Sequence, residues 1–236
     1  MNLLAIDTAT EKLSIALAAD NDTWLFEAEA GLRHSELVME IIDILFKKAA
    51  LKLEDLSGIV CMGGPGSFTG LRIGYSLAKG LALALGCPIA AIPTLDCMAK
   101  PLSSWKGLVM PVLDAKQSSF FCALYRDGIK ICADMDADPA AIAAEIASAV
   151  AAAIAPQEAK QVLLFGPGAD LLYGKLTQLP QSPSPLAPMV AAKILLGKGI
   201  RCGNAQTLLE IARETDIFAN SVSDFSAGPV YIRKSV

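Results

Sequence analysis

The feature that most constrains the fold of this chain is an internal duplication. An apolar, strand-like run ends at Asp7 and a second one ends at Asp114, while a Gly-Pro-Gly corner at residues 64–66 recurs at residues 166–168. The two offsets, 107 and 102 residues, agree to within a loop insertion. Repeats of this length are not solenoid units. The sequence therefore predicts two similar domains that face each other across a cleft.

Each half predicts the element order βββαβα, from runs of strand and helix periodicity separated by turn residues. In the first half these elements are assigned to residues 3–6, 13–19, 23–27, 35–50, 58–62 and 71–85, followed by a strand at 87–92. In the second half they are residues 108–113, 118–125, 129–133, 140–155, 161–165 and 171–179, followed by helices around 189–196 and 205–214. We expect an N-terminal domain at residues 1–102 and a C-terminal domain at 103–236, whose last helix or tail packs back on the first.

The composition predicts a soluble chain with a large core, because 53% of its residues are hydrophobic and 19% are charged. The net charge of −4 and the pI of about 5.1 argue against a major nucleic-acid surface. Six scattered cysteines, without a Cys-x-x-Cys pair, suit a reducing compartment. The N-terminus has no signal-peptide pattern and neither long apolar run is an uninterrupted span. We therefore expect a cytoplasmic protein without a membrane segment.

The glycine-rich stretch at residues 63–74 is a strand-to-helix corner, since it separates an apolar strand from an apolar helix. Such a corner can be interpreted in two ways. It could bind a phosphate at a helix N-terminus, with Gly64 and Gly66 near the ligand, or it could be a tight turn packed against a neighbouring segment. It is not a Walker loop, because no Gly-Lys-Ser/Thr follows, and it misses the dinucleotide spacing by one residue. The second corner, at Gly166, indicates that the shape belongs in part to the duplicated domain. We interpret the first corner as a hinge that fixes an interface.

Asp7 and Asp114 end the first strand of each half and are candidates for cleft residues. With Thr8 and Thr10 beside it, Asp7 could bind the water shell of a metal ion or orient an attacking water. The alternative is that each aspartate caps the following turn. Both roles stay open for Asp7, and turn capping is favoured for Asp114.

His34 is the sole histidine, and the position four residues later is Val38. No His-x-x-x-His or His-x-x-His pair can therefore form, and no protein-bound catalytic metal is expected. No Ser/His/Asp or Cys/His arrangement is indicated, so a peptidase would depend on His34 alone as its base. The position of His34 favours a role near the start of the helix at residues 35–50.

The helices at residues 35–50 and 71–85 are apolar around most of their circumference. Such helices are buried on most sides, either inside their own domain or against a partner. The first alternative is that both are internal. The second is a helical protein–protein interface, in which two such helices meet an equivalent pair of the partner. For this interface we select Leu37, Ile41, Leu45, Leu71, Tyr75, Ala78 and Leu81.

Several motifs together resemble the bacterial TsaB (YeaZ) family over nearly the whole chain. They are Leu4-Ala5-Ile6-Asp7-Thr8-Ala9-Thr10, Arg33-His34-Ser35-Glu36, the stretch from Gly64 to Gly74, Ile92-Pro93-Thr94-Leu95, Asp114-Ala115-Lys116 and Pro229-Val230-Tyr231-Ile232-Arg233. The resemblance implies an α/β fold of the actin/Hsp70/sugar-kinase type, in agreement with the duplicated βββαβα order. The chain differs from the family pattern at Lys116 and at Phe120-Phe121, and its segment at 197–228 is longer than expected.

The resemblance also implies a function. TsaB-like proteins are non-catalytic subunits of the machinery that adds threonylcarbamoyl to the adenosine beside the tRNA anticodon. The implied partners are the catalytic paralogue TsaD, as a heterodimer, and the ATPase TsaE, with a homodimer when TsaD is absent and only indirect contact with tRNA. The alternative is a residual ATP-binding protein or ATPase of the sugar-kinase type. It would hold ATP or ADP with Mg²⁺ through Asp7, Thr8, Thr10, Gly64 and Gly66.

Overall fold

The computed structural model describes residues 1–152, 161–179, 193–198, 204–215, 217–218 and 228–229. In the first half, strands β1 (Leu3–Asp7), β2 (Lys12–Ala19), β3 (Asp22–Glu29), β4 (Gly58–Gly64) and β5 (Ile89–Pro93) form one sheet in the order β3-β2-β1-β4-β5. The pairs β1–β2 and β2–β3 are antiparallel, as expected for a meander, whereas β1–β4 and β4–β5 are parallel. The parallel pairs require helical crossovers.

Those crossovers are α1 (His34–Ala49) and α2 (Phe68–Leu85), and α3 (Thr94–Ala99) follows β5. Because side chains alternate along a strand, one face of the sheet presents Leu4, Ile6, Ile15 and Ile59 to α1 and α2. The other face presents Leu3, Ala5, Val60 and Met62 to a later helix, α6 (Ala205–Glu214). The sheet of the first half is therefore covered by helices on both faces.

In the second half, β6 (Leu108–Asp114), β7 (Phe120–Cys122), β8 (Tyr125–Arg126), β9 (Ile129–Lys130) and β10 (Met135–Ala137) precede α4 (Pro139–Ala151). Then come β11 (Gln161–Phe165), α5 (Ala169–Thr177) and β12 (Lys193–Leu196). Asp138 caps α4 by accepting hydrogen bonds from the backbone N of Ala140 and of Ala141, at 2.8 and 2.9 Å. The main path of this sheet is β10-β7-β6-β11-β12, with β8 and β9 attached to it through β6.

The two sheets share one topology, since β3-β2-β1-β4-β5 and β10-β7-β6-β11-β12 place equivalent elements at equivalent positions. The predicted α/β fold with a duplicated βββαβα unit is confirmed. By its contacts the chain divides into two units, Met1–Cys97 with Gly203–Tyr231, and Met98–Cys202 with Ile232–Val236. The first unit includes α6, which packs on β1, β2 and β4. We call these two contact-defined units unit 1 and unit 2, in the order given.

Three sequence assignments were wrong in detail. The helix predicted around 189–196 is strand β12 where the structure describes it, because a short apolar run such as Ile194-Leu195-Leu196 suits either element. The strand predicted at 118–125 is broken into β7 and β8, and the one at 129–133 is replaced by β9 and β10.

Some sequence predictions fall outside the described residues. They concern residues 153–155 and 189–192, Cys202, much of the 197–228 segment and the 230–233 part of the C-terminal motif. None of the described helices has the length and apolar character to cross a membrane.

Candidate functional site

Asp7 is the last residue of β1, and its side chain is almost fully buried, with 5% of the residue exposed. One carboxylate oxygen, Oδ1, accepts a hydrogen bond of 2.9 Å from the backbone N of Ala9. Burial raises the pKa of Asp7 to about 7, although this hydrogen bond acts in the opposite direction. Of the two roles open for Asp7, turn capping is the one for which the structure shows a hydrogen bond.

The two threonines of this turn make different contacts. The buried Thr8 hydroxyl donates a 2.7 Å hydrogen bond to the carbonyl oxygen of Gly70, in the first turn of α2. Thr10 is half-buried, and its hydroxyl accepts a 3.2 Å hydrogen bond from the backbone N of Lys12. Both hydroxyls thus bind protein backbone.

The corner between β4 and α2 packs directly against the same turn. Gly64 has φ +99°, a conformation that other residues rarely adopt. At Gly66, a Cβ atom would lie 2.5 Å from the carbonyl oxygen of Ala9. That oxygen accepts a 2.7 Å hydrogen bond from the backbone N of Ser67, the N-cap residue of α2. Gly66 therefore allows close approach of the protein's own backbone.

The same close approach continues along α2. A Cβ atom at Gly70 would overlap the backbone carbonyl of Thr8, and one at Gly74 would overlap the Thr8 hydroxyl. The hydroxyl of Ser67 accepts a 3.2 Å hydrogen bond from the backbone N of Gly70. Thr8 therefore lies in a recess of the α2 surface that exists only because Gly70 and Gly74 lack side chains.

Several groups of the turn and the corner of unit 1 that could face a phosphate are occupied by the protein itself. The amide of Ala9 is bound by Asp7, the amide of Lys12 by Thr10, and the space beside Gly66 is filled by Ala9. A phosphate cradle needs backbone amides that point at the ligand. The turn and the corner form a packed junction between β1 and α2.

A row of polar side chains lies on the α6 side of the sheet next to Asp7. Ser14 pairs with Asp7 across β1–β2, and Glu27 pairs with Ser14 across β2–β3. The Ser14 hydroxyl accepts a 3.1 Å hydrogen bond from the backbone N of Ala205, and Asn204 donates one of 2.7 Å to Glu27 Oε1. These bonds attach the N-terminus of α6 to the sheet.

In unit 2, Asp114 occupies the position equivalent to Asp7, and its predicted turn-capping role is confirmed. Its Oδ1 accepts a 2.8 Å hydrogen bond from the backbone N of Lys116, and its Oδ2 pairs with Lys116 Nζ at 3.0 Å. Partial burial acts to raise the pKa of Asp114, but the Lys116 hydrogen bonds and the charges of Lys116 and Lys175 outweigh it and lower the pKa. The two equivalent aspartates therefore have opposite electrostatic environments.

His34 begins α1 and is buried, and its Nε2 has no hydrogen-bond partner in the part of the chain that the structure describes. Among the same described residues, no group of three His, Cys, Asp or Glu side chains is placed to hold a metal ion.

The seven residues selected for a partner interface divide into two sets. The first set is buried in unit 1 and consists of Ile41, Leu45, Leu71, Tyr75 and Ala78. Leu71 belongs to the core on the α6 side of the sheet, and the other four belong to the core between the sheet, α1 and α2. Leu37 and Leu81 are half-buried and pack at the edge of the same core. The broad apolar surface of the helices is thus largely explained by the core, and of the seven only Leu37 and Leu81 are open to a partner.

Sequence reasoning missed the residues that make the junction. Gly70 and Gly74 lie four residues apart inside a helix, where glycine is unfavourable, and this cost was a signal of close packing. Ser67 directly before the helix was a recognisable N-cap. The pairing of Ser14, Glu27 and Asn204 joins residues far apart in sequence, and no local signal indicates it.

Comparison with known proteins gives a consistent family. The model of the family TsaD, tRNA N6-adenosine threonylcarbamoyltransferase, matches residues 28–165. The tRNA threonylcarbamoyladenosine biosynthesis protein TsaB of Bacillus subtilis is 39% identical over 128 residues, which cover 53% of this chain and 56% of that protein. The protein of the same name in Haemophilus influenzae is 26% identical over 100% of this chain and 95% of its own length.

A solved structure of an uncharacterised Pseudomonas aeruginosa protein with similarity to peptidase YeaZ has the same fold. It aligns with a TM-score of 0.73 and 24% identity over 98% of this chain and 99% of that one. The match to the Bacillus protein spans only about half the length of either chain. The family model, in contrast, covers more than half of this chain. The chain therefore belongs to the TsaB/YeaZ family, within the wider family that the TsaD model describes.

Proposed function

We propose that this chain is a non-catalytic subunit of tRNA threonylcarbamoyladenosine biosynthesis, which forms a heterodimer with a TsaD-like paralogue. Its relatives carry the name of that pathway. The observation that carries the proposal is an exposed apolar surface on α1 and α2. We define this α1–α2 surface by Leu37, Met39, Ile44, Phe68, Leu81 and Leu83.

Four large apolar side chains of this surface are exposed. Leu83 is 69% exposed, Ile44 46%, Met39 44% and Phe68 43%. These four belong to two adjacent helices that pack on one face of the sheet. Large apolar side chains left exposed on two neighbouring helices are candidates for an interaction site.

The exposed side of α2 also suits a close helix–helix contact. Ser76, Gly80 and Ala84 follow each other at intervals of four residues and are all exposed. At Gly80, a Cβ atom would meet nothing within 4 Å. Because the distance between packed helices depends on the side chains at the contact, small residues beside Leu83 allow a partner helix to approach.

The outer side of α1 is charged and would form the rim of the contact. Arg33 pairs with Glu36 at 3.2 Å, and Lys47 pairs with Asp43. Interfaces commonly combine an apolar centre with a polar rim.

A paralogue of the same fold would present an equivalent helix pair, so that the two pairs form a four-helix arrangement. The same surface would pair with a second copy of this chain when the paralogue is absent. A TsaE-like ATPase would join the heterodimer, and tRNA would be bound mainly by the paralogue, because this chain has a net charge of −4.

Co-purification with the tagged paralogue tests this proposal. Leu83→Asp places a charge in the α1–α2 surface, and we expect loss of the complex, since an unpaired charge in an apolar contact is costly. Ile129→Asp in unit 2 is the matched control, because Ile129 is also 69% exposed. Light scattering of each isolated variant measures whether it still forms the homodimer. Retention of the complex by Leu83→Asp, with normal thermal unfolding, would refute this surface as the interface.

A further inference from the structure

The two copies of the duplicated unit differ at the junction between the first strand and the second helix. Position 8 is Thr, whereas its equivalent at 115 is Ala. At the offset of the two corners, Gly70 corresponds to Leu172. By the same offset Gly74 corresponds to Leu176, and both leucines are buried in the core of unit 2.

The corner glycines themselves do not differ in this way. A Cβ atom at Gly166 would lie 2.6 Å from the carbonyl oxygen of Val112, and one at Gly168 would lie 2.8 Å from the backbone N of Asp114. Close approach at the corner is therefore common to both units. At the equivalent positions that the structure describes in unit 2, Ala115, Leu172 and Leu176 provide neither the hydroxyl bond nor the two helical glycines of unit 1, the unit that carries the α1–α2 surface.

Thr8 contacts α2 through both its side chain and its backbone carbonyl. Its Oγ1 donates to the carbonyl oxygen of Gly70 at 2.7 Å, and its backbone carbonyl fills the place of a Gly70 side chain. Its Cβ and Cγ2 each lie 3.5 Å from the position of a Cβ atom at Gly74. These contacts limit three movements of α2: sliding along its axis, rotation about that axis, and displacement away from β1.

The side of α2 that Thr8 touches is opposite the exposed side. Gly70 and Gly74 are buried, while Arg72, Ser76 and Leu83 are exposed. An α-helix has 3.6 residues per turn, so the angular positions of its side chains around the axis are fixed relative to one another. Contacts that fix the rotation of α2 about its axis at Gly70 and Gly74 therefore also fix the direction in which Leu83 points. A helix held only by apolar packing would keep more freedom to rotate or slide, since dispersion contacts are not directional.

We propose that Thr8 is a positioning residue for partner binding: it fixes the rotation and depth of α2 and so aligns the α1–α2 surface with the paralogue. This inference rests on the proposed function. In this inference the Asp7-Thr8 turn and the glycine corner share one role, which is to align a protein–protein contact. Such motifs otherwise suggest ligand binding.

The test compares Thr8→Val with Thr8→Ser. Valine keeps the volume and removes the hydroxyl donor, while serine restores the donor. We expect Thr8→Val to weaken the affinity for the paralogue about three- to tenfold, which is the range of one net hydrogen bond. Thr8→Ser is expected to stay within about twofold of the wild type by the same reasoning. Calorimetric titration gives the dissociation constants, and thermal unfolding identifies variants that are not folded at the measuring temperature.

Three other outcomes overturn the inference and can be told apart. If Thr8→Val only lowers the unfolding temperature and leaves the dissociation constant unchanged, Thr8 is structural and the proposed function stands. If Thr8→Ser is as weak as Thr8→Val, the hydroxyl is not what aligns α2. If the wild-type chain does not bind the paralogue at all, the proposed function fails, and the positioning role fails with it.

Discussion

The hydroxyl oxygen of Thr8 lies 2.7 Å from the carbonyl oxygen of Gly70, so a residue after β1 is bonded to the first turn of α2. The contact joins two segments separated by 62 positions in the sequence. It also explains why glycine is kept inside a helix, where it costs roughly 0.5–1 kcal/mol relative to alanine. Here the absence of a side chain allows a bond and a close backbone contact that alanine would prevent.

The glycines of α2 should respond oppositely to the same substitution. Gly70→Ala should lower the free energy of unfolding by about 1–3 kcal/mol, because its Cβ would overlap the backbone carbonyl of Thr8. Gly80→Ala should raise it by roughly 0.5–1 kcal/mol, because that site is exposed and has open space around it. Urea denaturation of both variants measures the two changes in one helix. Equal effects at the two positions would show that the junction is not tightly packed.

Asp7 should make the chain less stable as the pH rises. Its pKa is about 7 in the folded chain, against an ordinary value of 3.8. Between these values the folded state holds the proton more strongly than the unfolded state. The free energy of unfolding should therefore fall by roughly 1.4 kcal/mol per pH unit over this window and level off above about pH 7.

Asp7→Asn isolates this effect, because the amide oxygen can still accept from Ala9 but the side chain does not titrate. The variant should be more stable than the wild type at about pH 8, and the difference should shrink towards about pH 4. Denaturant unfolding at several pH values measures the difference curve. A difference that does not change with pH would mean that Asp7 does not titrate with a raised pKa.

Much of this fold could be predicted from the sequence because its signals are local. The meander of β1 to β3, the cap at Asp138 and the recurring Gly-Pro-Gly corners all follow from residue spacing and turn chemistry. The duplication followed from comparing one half of the sequence with the other.

The candidate site was less predictable, since the role of its residues depends on contacts between segments that are distant in the sequence. The residues Asp7, Thr8 and Gly66 were recognised as special, but an apolar or glycine-rich pattern does not tell whether a ligand or the protein's own backbone fills the space. The interface residues show the same limit. Helical periodicity marked Ile41 and Tyr75 as apolar, yet only the packing of α1 and α2 on the sheet shows that both are buried.

Asn204 should stabilise α6 in two separable ways. Its Oδ1 caps the helix by accepting from the backbone N of Gln206 and of Thr207, and its Nδ2 donates to Glu27. Asn204→Asp keeps the cap but sets one carboxylate against another, so we expect it to be less stable than Asn204→Ser at neutral pH. Asn204→Ala should cost about 1 kcal/mol through loss of the cap. Thermal unfolding checks the order, and Gln206→Ala serves as an exposed control on the same turn.

The order of the Asn204 variants also depends on ionic strength. Salt screens the repulsion between the introduced aspartate and Glu27, so at high salt Asn204→Asp should approach Asn204→Ser. If Asn204→Asp is the more stable of the two at neutral pH, Glu27 does not accept from this side chain in solution.

The isolated chain should not bind Mg-ATP in the micromolar range through the corner of unit 1. The amides of Ala9 and Lys12 are bound by Asp7 and Thr10, and Gly66 packs on the Ala9 carbonyl, so a phosphate would have to break these contacts before it could bind. Isothermal titration calorimetry with ATP and Mg²⁺ measures this directly. Micromolar binding that is lost in Thr10→Ala and kept in Ile129→Asp would favour the residual ATPase reading. In that case the β1–β2 turn must open, and protection of its amides from hydrogen exchange should fall when ATP is added.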